Sequence, residues 1–457
     1  MAEHTISLVK SLKKLLDDKK YQTLKDILTT MNGADIAAVF EEMDEERTPL
    51  LFRLLPKELA AETFAELSPE LQEHLIRGFS DKELREVVSE LYVDDAADLV
   101  EEMPASVVKR ILAQADPQMR REINEILRYP ENSAGSIMTT EYVSLRPNMT
   151  IAEALQRIRR TGVDKETIYT CYVTKERRLI GTVSVKDMLL APDENTPVSE
   201  IMDENVISVN TLTDQEEVAQ MLSKYNFLAL PVVDTDGRMV GIITFDDAMD
   251  VLVEETTEDI EKMAGMLPSE KTYLRSTPWD LFKHRIPWLL LLMVSATFTG
   301  MIITRFESAL AAQVVLTAFI PMLMDTGGNS GSQASVTVIR ALSLGELELR
   351  DLPKVVWKEV QTAVLCGVAL ATLCFAKIMV FDRMILGNTD ITVMTAFVVC
   401  LTMAVTVLVA KVVGCTLPLF AKKLGFDPAV MASPFITTIV DALSLLVYFG
   451  IASALLF

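Results

Sequence analysis

Residues 286–457 carry five long apolar stretches, and these constrain the fold more than any other feature of the chain. They run over about residues 286–304, 312–342, 359–381, 391–415 and 429–456. Each is long enough to cross the roughly 30 Å hydrocarbon core of a bilayer as a helix. A helix is the expected form, because lipid offers no hydrogen-bond partners to an open backbone. The sequence therefore predicts a membrane domain of five transmembrane helices at 286–457.

Basic residues around these stretches predict their orientation. If the N-terminus lies in the cytoplasm, nine flanking Lys and Arg residues fall on the cytoplasmic side and three on the outer side. Membrane proteins favour that bias. The first 20 residues also lack the apolar core of a signal peptide. We expect a multi-pass protein of the cell membrane with a cytoplasmic N-terminus and an external C-terminus.

The second apolar stretch contains many residues that suit neither lipid nor a regular helix. Its sequence, "IPMLMDTGGNSGSQASVTVIRAL", includes Pro321 and three glycines, so we expect irregular backbone. Lipid cannot solvate such a segment, which must be buried or face water. The oxygen-bearing side chains predict a pore lining that includes Asp325, Asn329 and Gln333. The alternative is a kinked helix whose polar groups bridge neighbouring helices.

The fifth stretch, "MASPFITTIVDALSLLVYFG", places Asp441 in the middle of the membrane. A carboxylate at that depth costs about 2.5–3.5 kcal/mol even on lenient scales. Lys377 and Lys411 lie near predicted helix ends and are expected to extend outward, away from Asp441. We therefore predict that Asp441 faces a hydrated cation pathway, the alternatives being a structural hydrogen bond or a buried ion pair. Oxygen ligands without Cys or His clusters favour a hard ion such as Mg²⁺.

The rest of the chain is strongly acidic. All of the formal charge of −21 lies in residues 1–285, because residues 286–457 hold ten acidic and ten basic side chains. Such a surface repels nucleic acid and attracts cations, so no nucleic-acid partner is expected. The five cysteines form no CxxC pair or Cys/His cluster, which argues against a zinc site.

Residues 1–132 are predicted to form an all-α cytoplasmic superhelix. The segments "LPKELAAETFAELSPELQEHLI" and "MPASVVKRILAQADPQMRREIN" repeat at an offset of 48 residues, with apolar residues at helical spacing. Their shared prolines mark the first turns of helices. Repetition of this kind predicts stacked helix pairs.

A second repeat covers residues 133–252. "SIMTTEYVSLRPNMTIAEALQRI" and "EIMDENVISVNTLTDQEEVAQML" align at an offset of 64, and each copy is predicted to run strand, helix, strand, turn, strand, helix. This α/β order resembles a tandem pair of cystathionine β-synthase-type (CBS) domains. The resemblance implies binding of an adenine nucleotide such as ATP, with Ser184 and Asp187, and Thr244 and Asp247, holding the ribose. Helix capping is the alternative role for these residues.

Residues 253–285 are predicted to form an acidic connecting helix that leads into the membrane. In "DDAMDVLVEETTEDIEKMAGMLPSE", carboxylates at 247, 250, 254, 258 and 261 share one helical face. Like charges at this spacing destabilise a helix by a few tenths of a kcal/mol per pair. A solvated acidic face is the ordinary explanation. Divalent cations would relieve the repulsion, which suggests an ion-sensitive link to the membrane domain.

The whole order of domains, with "TGGNSGSQASVTVIRAL", "AGSIMTTEYVSL" and "FDPAVMASPFITTIVDAL", resembles the MgtE family of magnesium channels. The resemblance implies a homodimer with its pore at the subunit interface. It also implies that Asp441 binds hydrated Mg²⁺ in the pore and that Asp427 lies at the cytoplasmic mouth, facing the acidic "plug" helix. The cytosolic Mg²⁺ sites that it implies use Asp94, Asp95, Asp98, Glu216 or Glu217, Asp247, Asp250, Glu255, Glu258 and Asp259. One acidic position of the family is Asn226 here, which is expected to weaken cytosolic sensing.

This resemblance implies a channel that cytosolic Mg²⁺ closes by bridging those carboxylates. Two alternatives remain at this stage: a divalent-cation exchanger driven by Na⁺ or H⁺, and a nucleotide-sensing signalling protein anchored in the membrane. An enzyme is not expected, because the three histidines form no catalytic motif. The sequence leaves open the selectivity among Mg²⁺, Co²⁺, Mn²⁺ and Ca²⁺.

Overall fold

The structure is a computed structural model that describes residues 2–269, 273, 276–307, 311 and 313–456. The chain divides into two compact units, residues 1–252 and 253–457. The two are described separately below.

Ten helices make up the first half of the first unit. Their bounds are α1 Ala2–Asp17, α2 Tyr21–Leu28, α3 Gly33–Glu41, α4 Thr48–Phe52, α5 Lys57–Ala65, α6 Pro69–Gly78, α7 Asp81–Val88, α8 Val93–Glu102, α9 Ala105–Gln114 and α10 Met119–Ile126. Pro69 lies in the first turn of α6, as predicted, whereas Pro56 and Pro104 are the N-cap residues of α5 and α9 and Pro117 precedes the N-cap of α10. The buried faces of the helices form one continuous apolar core that runs from Val9 to Ile126. The predicted helical N-terminal domain is confirmed.

Two small sheets of the same topology follow. The first copy comprises β1 Ser144–Leu145, α11 Ile151–Thr161, β2 Thr170–Lys175, β3 Arg178–Ser184 and α12 Val185–Leu190, and the second comprises β4 Val209–Asn210, α13 Gln215–Tyr225, β5 Ala229–Val233, β6 Met239–Thr244 and α14 Phe245–Met263. In each sheet the middle strand pairs in parallel with the first strand and antiparallel with the third. The predicted order of elements is confirmed in both copies.

The connecting segment spans the end of one helix and the start of another. Helix α14 begins in the second sheet copy and ends at Met263, and Gly265 then takes a left-handed conformation with φ +71°. Glycine adopts this conformation without steric cost, so the helix stops there. Among the described residues, the next helix begins at Pro278. The acidic helix therefore occupies the first part of the range 253–285, and a Pro278 helix that continues into the membrane domain covers its last part.

The described residues of the second unit include five long helices, α15 Pro278–Arg305, α16 Ile320–Ser343, α17 Leu352–Ala376, α18 Val393–Lys423 and α19 Ser433–Leu456. A π-helix, Lys377–Ile385, extends α17. Among the described residues, the segments that contain α15, α17, α18 and α19 are long and apolar enough to cross a membrane. The remaining long helix, α16, occupies the second predicted stretch and carries its polar residues.

The irregular backbone predicted for that stretch is wrong, because α16 runs unbroken through all three glycines. The glycines serve close packing. A Cβ placed at Gly327 would lie 2.6 Å from the Ser444 Oγ, and one at Gly414 on α18 would lie 2.3 Å from the Gly331 carbonyl oxygen. Small residues let membrane helices approach in this way. Glycine here permits contact between α16, α18 and α19.

The outward extension predicted for Lys411 is also wrong. Lys411 is only 5% exposed, and its Nζ lies 3.6 Å from the Glu359 Oε2. The pair joins α18 to α17. Removing one partner of a buried ion pair leaves an uncompensated charge, which is strongly destabilising. Lys411 is therefore retained inside the protein by Glu359 and does not extend along α18 toward the membrane surface.

Candidate cation sites

Asp441 lies half-buried on α19 and faces the glycine-rich part of α16. A Cβ placed at Gly328 would stand 3.7 Å from the Asp441 Oδ1 and 3.1 Å from the Thr437 Cγ2. The absence of a side chain at Gly328 therefore leaves room beside the carboxylate. Asp325 is the charged group whose field acts on Asp441. The structure thus brings together two of the predicted pore residues.

The polar side chains of α16 share one uncovered face. Asp325, Asn329 and Gln333 are all exposed, and the Asn329 Nδ2 donates a hydrogen bond of 3.0 Å to the Asp325 Oδ1. Their spacing of four residues places them on successive turns. Lipid cannot satisfy such groups, so this face requires water or another protein surface. The arrangement suits one wall of a hydrated pathway.

A second group of carboxylates lies in the first unit, where α8 begins. Asp94 is 8% exposed, and its Oδ1 has no hydrogen-bond partner among the described residues. Burial, followed by the charge of Asp247, raises the pKa of Asp94 well above its usual value. The same two causes raise the pKa of Asp95 to about 6 and that of Asp98 to about 7. In the part of the chain that the structure describes, these carboxylates form no ion pair that would favour their ionised form.

Glu166 belongs to this group, although sequence reasoning missed it. Burial raises its pKa to about 8, and the charges of Asp247, Asp246 and Asp95 contribute. Glu166 lies in a loop of the first sheet copy, far in sequence from both α8 and α14. No local pattern could have marked it, because only the fold brings these segments together. We call Asp94, Asp95, Asp98, Glu166, Asp246 and Asp247 the N-domain–CBS cluster.

The proposed ribose residues form matching pairs at two helix starts. The Ser184 Oγ donates to the Asp187 Oδ2 at 2.6 Å, and it also accepts from the Asp187 backbone N–H at 3.0 Å. Thr244 donates to the Asp247 carboxylate in the same way. Burial raises the pKa of Asp247, against the lowering effect of the Thr244 hydrogen bond. This geometry shows that Ser184 and Thr244 cap the starts of α12 and α14. It does not by itself indicate that these residues bind a nucleotide.

Three further residues from the sequence analysis, Asp250, Glu216 and Asn226, lie outside the N-domain–CBS cluster. Burial and the charge of Asp246 raise the pKa of Asp250, one turn along α14 from the N-domain–CBS cluster. Glu216 is in the first turn of α13, where it accepts a hydrogen bond of 3.2 Å from Gln220. Asn226 ends that helix with a left-handed φ of 55°, which asparagine tolerates well.

The last turns of α14, from residue 253 on, belong to the second unit and contact other segments of that unit. Asp427 caps a 3₁₀-helix, Pro428–Met431, by accepting from the Ala429 backbone N–H at 2.8 Å. Its other oxygen is 2.7 Å from the Lys262 Nζ, which also lies 2.6 Å from the Glu258 Oε1. Asp259, half-buried like Glu255, accepts a hydrogen bond of 3.1 Å from the Ser343 Oγ. Burial raises the pKa of Asp259, and the charge of Asp427 adds to this effect.

Within the described residues, no three His, Cys, Asp or Glu side chains form a set that could hold a metal ion. The carboxylates are grouped but do not make a closed set of direct ligands in one chain. Mg²⁺ dehydrates reluctantly and commonly keeps several waters, so one or two carboxylates suffice to bind it.

Comparison with known proteins identifies the family. The chain is 38% identical to the magnesium transporter MgtE of Thermus thermophilus over 454 residues, which cover 98% of each protein. This chain belongs to the MgtE family. It is also 32% identical to the magnesium transporter MgtE of Bacillus subtilis, covering 96% of this chain and 95% of the relative. MgtE proteins are transporters, and the prediction that the chain is not an enzyme is confirmed.

The family models that match this chain follow the same order as the domains of the structure. Residues 31–132 match the MgtE intracellular N domain, residues 134–194 and 198–254 match CBS domains, and residues 320–451 match the MgtE divalent cation transporter domain. The cytosolic domain of the Mg²⁺ channel MgtE, solved in complex with ATP, covers 53% of this chain at 41% identity with a TM-score of 0.51. The present chain is thus a membrane protein with an intracellular N domain.

Proposed function

We propose that this MgtE chain is a Mg²⁺-selective channel for magnesium uptake, closed by cytosolic Mg²⁺. The observation that carries the proposal is the placement of Asp441 opposite Gly328, beside the exposed polar face of α16. Asp441 there binds an ion that keeps its inner water shell, while Asp325, Asn329 and Gln333 contact the water. Uptake then follows the electrochemical gradient, to which the membrane potential contributes about 2.3 kcal/mol per charge per 100 mV.

The pore in this proposal lies between two copies of the chain. In a single copy of the chain, the polar face of α16 is exposed. In a membrane that face would contact lipid, which cannot hydrogen-bond to it. A symmetric dimer places two such faces, and two copies of Asp441, around one axis. Their mutual repulsion favours a divalent ion over a monovalent one. A homodimer therefore supplies both the wall of the pathway and its charge.

Gating in this proposal comes from the cytosolic carboxylates. The N-domain–CBS cluster crowds like charges, and Mg²⁺ bound among them offsets the repulsion and stabilises the compact, closed form. When Mg²⁺ is scarce the carboxylates repel and the closed form loses stability. The sensing residues are Asp94, Asp95, Asp98, Glu216, Asp247, Asp250, Glu255, Glu258 and Asp259, with Asp427 at the pore mouth.

Four functional parts follow from this assignment. They are the N domain at 1–132, the CBS pair at 133–252, the plug and connection at 253–285, and the pore domain at 286–457, with the C-terminus outside the cell. The ATP complex of the related cytosolic domain supports nucleotide binding by Ser184, Asp187 and Thr244. Asp187→Ala should abolish the heat of ATP binding in calorimetry, whereas Asp193→Ala, at an exposed position nearby, should not.

Flux into liposomes tests the proposal. Purified protein should carry Mg²⁺ inward without any Na⁺ or H⁺ gradient, and Mg²⁺ on the cytosolic side should suppress that flux. An exchanger would instead require an imposed Na⁺ or pH gradient, and a nucleotide sensor with a membrane anchor would carry no flux. Competing Co²⁺, Mn²⁺ and Ca²⁺ in the same assay measure the selectivity.

A further inference from the structure

Lys262 occupies the space between two acidic residues that join α14 to the membrane unit. Its Nζ lies 2.6 Å from the Glu258 Oε1 and 2.7 Å from the Asp427 Oδ2. The Glu258 Oε1 and the Asp427 Oδ2 are therefore at most 5.3 Å apart, with the ammonium between them. The Lys262 side chain is only 21% exposed, so water screens the two contacts less than it screens a surface ion pair.

Two further contacts hold the same helical end in place. The Ser343 Oγ donates a hydrogen bond of 3.1 Å to the Asp259 Oδ2. Met263 packs against an apolar cluster made of Ile339, Ala429 and Ala432. Along α14, Lys262 thus lies between Asp259, which accepts a hydrogen bond from α16, and Met263, which packs against the apolar cluster. The ammonium is part of a formed interface within the membrane unit.

We propose that Lys262 is a built-in cation that holds the end of α14 against the pore domain without a divalent ion, and so sets how far the gate depends on Mg²⁺. The inference rests on the proposed function, in which Glu258 and Asp427 bind Mg²⁺. The Lys262 ammonium occupies the position between those carboxylates that a bridging ion would need. Mg²⁺ and Lys262 therefore compete for one pair of carboxylates.

The competition has a definite electrostatic consequence. Because Lys262 is covalently tethered next to Glu258, its charge is present at every Mg²⁺ concentration and needs no capture from solution. A lysine side chain is charged at neutral pH, because its ordinary pKa is about 10.4. Without that charge the two carboxylates repel, and only a divalent ion can bridge them. Lys262 thereby limits opening when Mg²⁺ is absent.

Lys262→Met, which keeps an unbranched apolar side chain one atom shorter and removes the charge, tests this role. Mg²⁺ flux through full-length protein in liposomes should rise about fivefold at zero cytosolic Mg²⁺, equivalent to about 1 kcal/mol. At saturating cytosolic Mg²⁺ the variant should close like the wild type, because the ion now bridges Glu258 and Asp427. Lys262→Arg should behave like the wild type. Lys423→Met, which removes an exposed charge of the same unit, is the matched control.

A cross-link separates this inference from the proposed function. Met263→Cys with Ala429→Cys should form a disulfide under mild oxidation without divalent ions, and adding Lys262→Met should lower the yield about fivefold until Mg²⁺ restores it. This readout needs no transport. Unchanged yield and flux in Lys262→Met at zero Mg²⁺ would overturn the inference while leaving a Mg²⁺-gated channel intact. Equal loss of closure at every Mg²⁺ concentration would also overturn it, since Lys262 would then be structural and not a competitor of Mg²⁺.

Discussion

Replacing Glu166 with glutamine should stabilise the N-domain–CBS cluster when no divalent ion is present. The pKa of Glu166 is about 8 against a model-peptide value of 4.5. At pH 7 that difference corresponds to a penalty of at most about 3.4 kcal/mol, at 1.36 kcal/mol per pH unit. Glu166 is half-buried, and solvent screening reduces the figure to about 1–2 kcal/mol. Glutamine keeps the shape of the side chain and removes this cost.

Hydrogen exchange in the full-length protein measures the effect where it arises. In the presence of chelator at pH 7, the amides of α8, Val93–Glu102, should exchange about tenfold more slowly in Glu166→Gln than in the wild type. Saturating Mg²⁺ should slow exchange in the wild type and so reduce the difference in exchange rate between the wild type and Glu166→Gln. Glu194→Gln changes an exposed carboxylate of the same CBS copy and should leave exchange unchanged.

Two results would refute the reasoning. Unchanged exchange in Glu166→Gln without Mg²⁺ would mean that the repulsion assigned to Glu166 does not act on α8. Faster exchange would mean that the carboxylate stabilises the fold through hydrogen bonds that glutamine cannot replace. In either case, gating could not depend on crowding of charge at this position.

Three further predictions concern pH and the membrane unit. Burial raises the pKa values of Asp95, Asp98 and Glu166, so these groups destabilise the fold once they ionise. Without divalent ions, the protease resistance of residues 1–252 should therefore be greatest in mild acid and fall as pH rises through about 6 to 8. Mg²⁺ should make the protease resistance less dependent on pH. Gly414→Val should prevent folding, since its side chain would overlap the Gly331 carbonyl, and size-exclusion chromatography would show aggregate in place of a defined peak. Glu359→Gln should lower the unfolding free energy by about 3–5 kcal/mol, because it leaves Lys411 unpaired. In a thermal unfolding assay, the double variant Glu359→Gln with Lys411→Met should recover most of that loss.

Local patterns in the sequence sufficed for much of the fold. Helical spacing and repeated prolines predicted the N domain, and the offset of 64 residues predicted the paired CBS copies. Both signals can be read along the chain without knowledge of tertiary contacts. Helix α16 was mispredicted for the opposite reason. Its glycines are poor helix formers in isolation, but their value lies in contacts with α18 and α19, which a single segment does not display.

The sites follow the same division. Asp441 and Asp325 stand out in the sequence because a carboxylate in an apolar run is conspicuous, and their place in the pore stays a prediction. Lys411 could not, because its partner Glu359 lies 52 positions away in the chain and decides which way the side chain points. Glu166 was missed because nothing in its loop distinguishes it from a solvated glutamate until α8 and α14 are placed beside it.

Uptake of Mg²⁺ by liposomes containing Asp441→Asn tests the central claim most directly. Asparagine keeps the size of the side chain and removes its charge, so most of the flux should be lost at matched protein levels while folding and dimerisation remain intact. Asp441→Glu should keep part of the flux with altered selectivity, and Asp390→Asn, at an exposed position outside the helices, should behave like the wild type. Wild-type flux with unchanged selectivity in Asp441→Asn would contradict the account, since the carboxylate would then be structural and selectivity would have to come from α16.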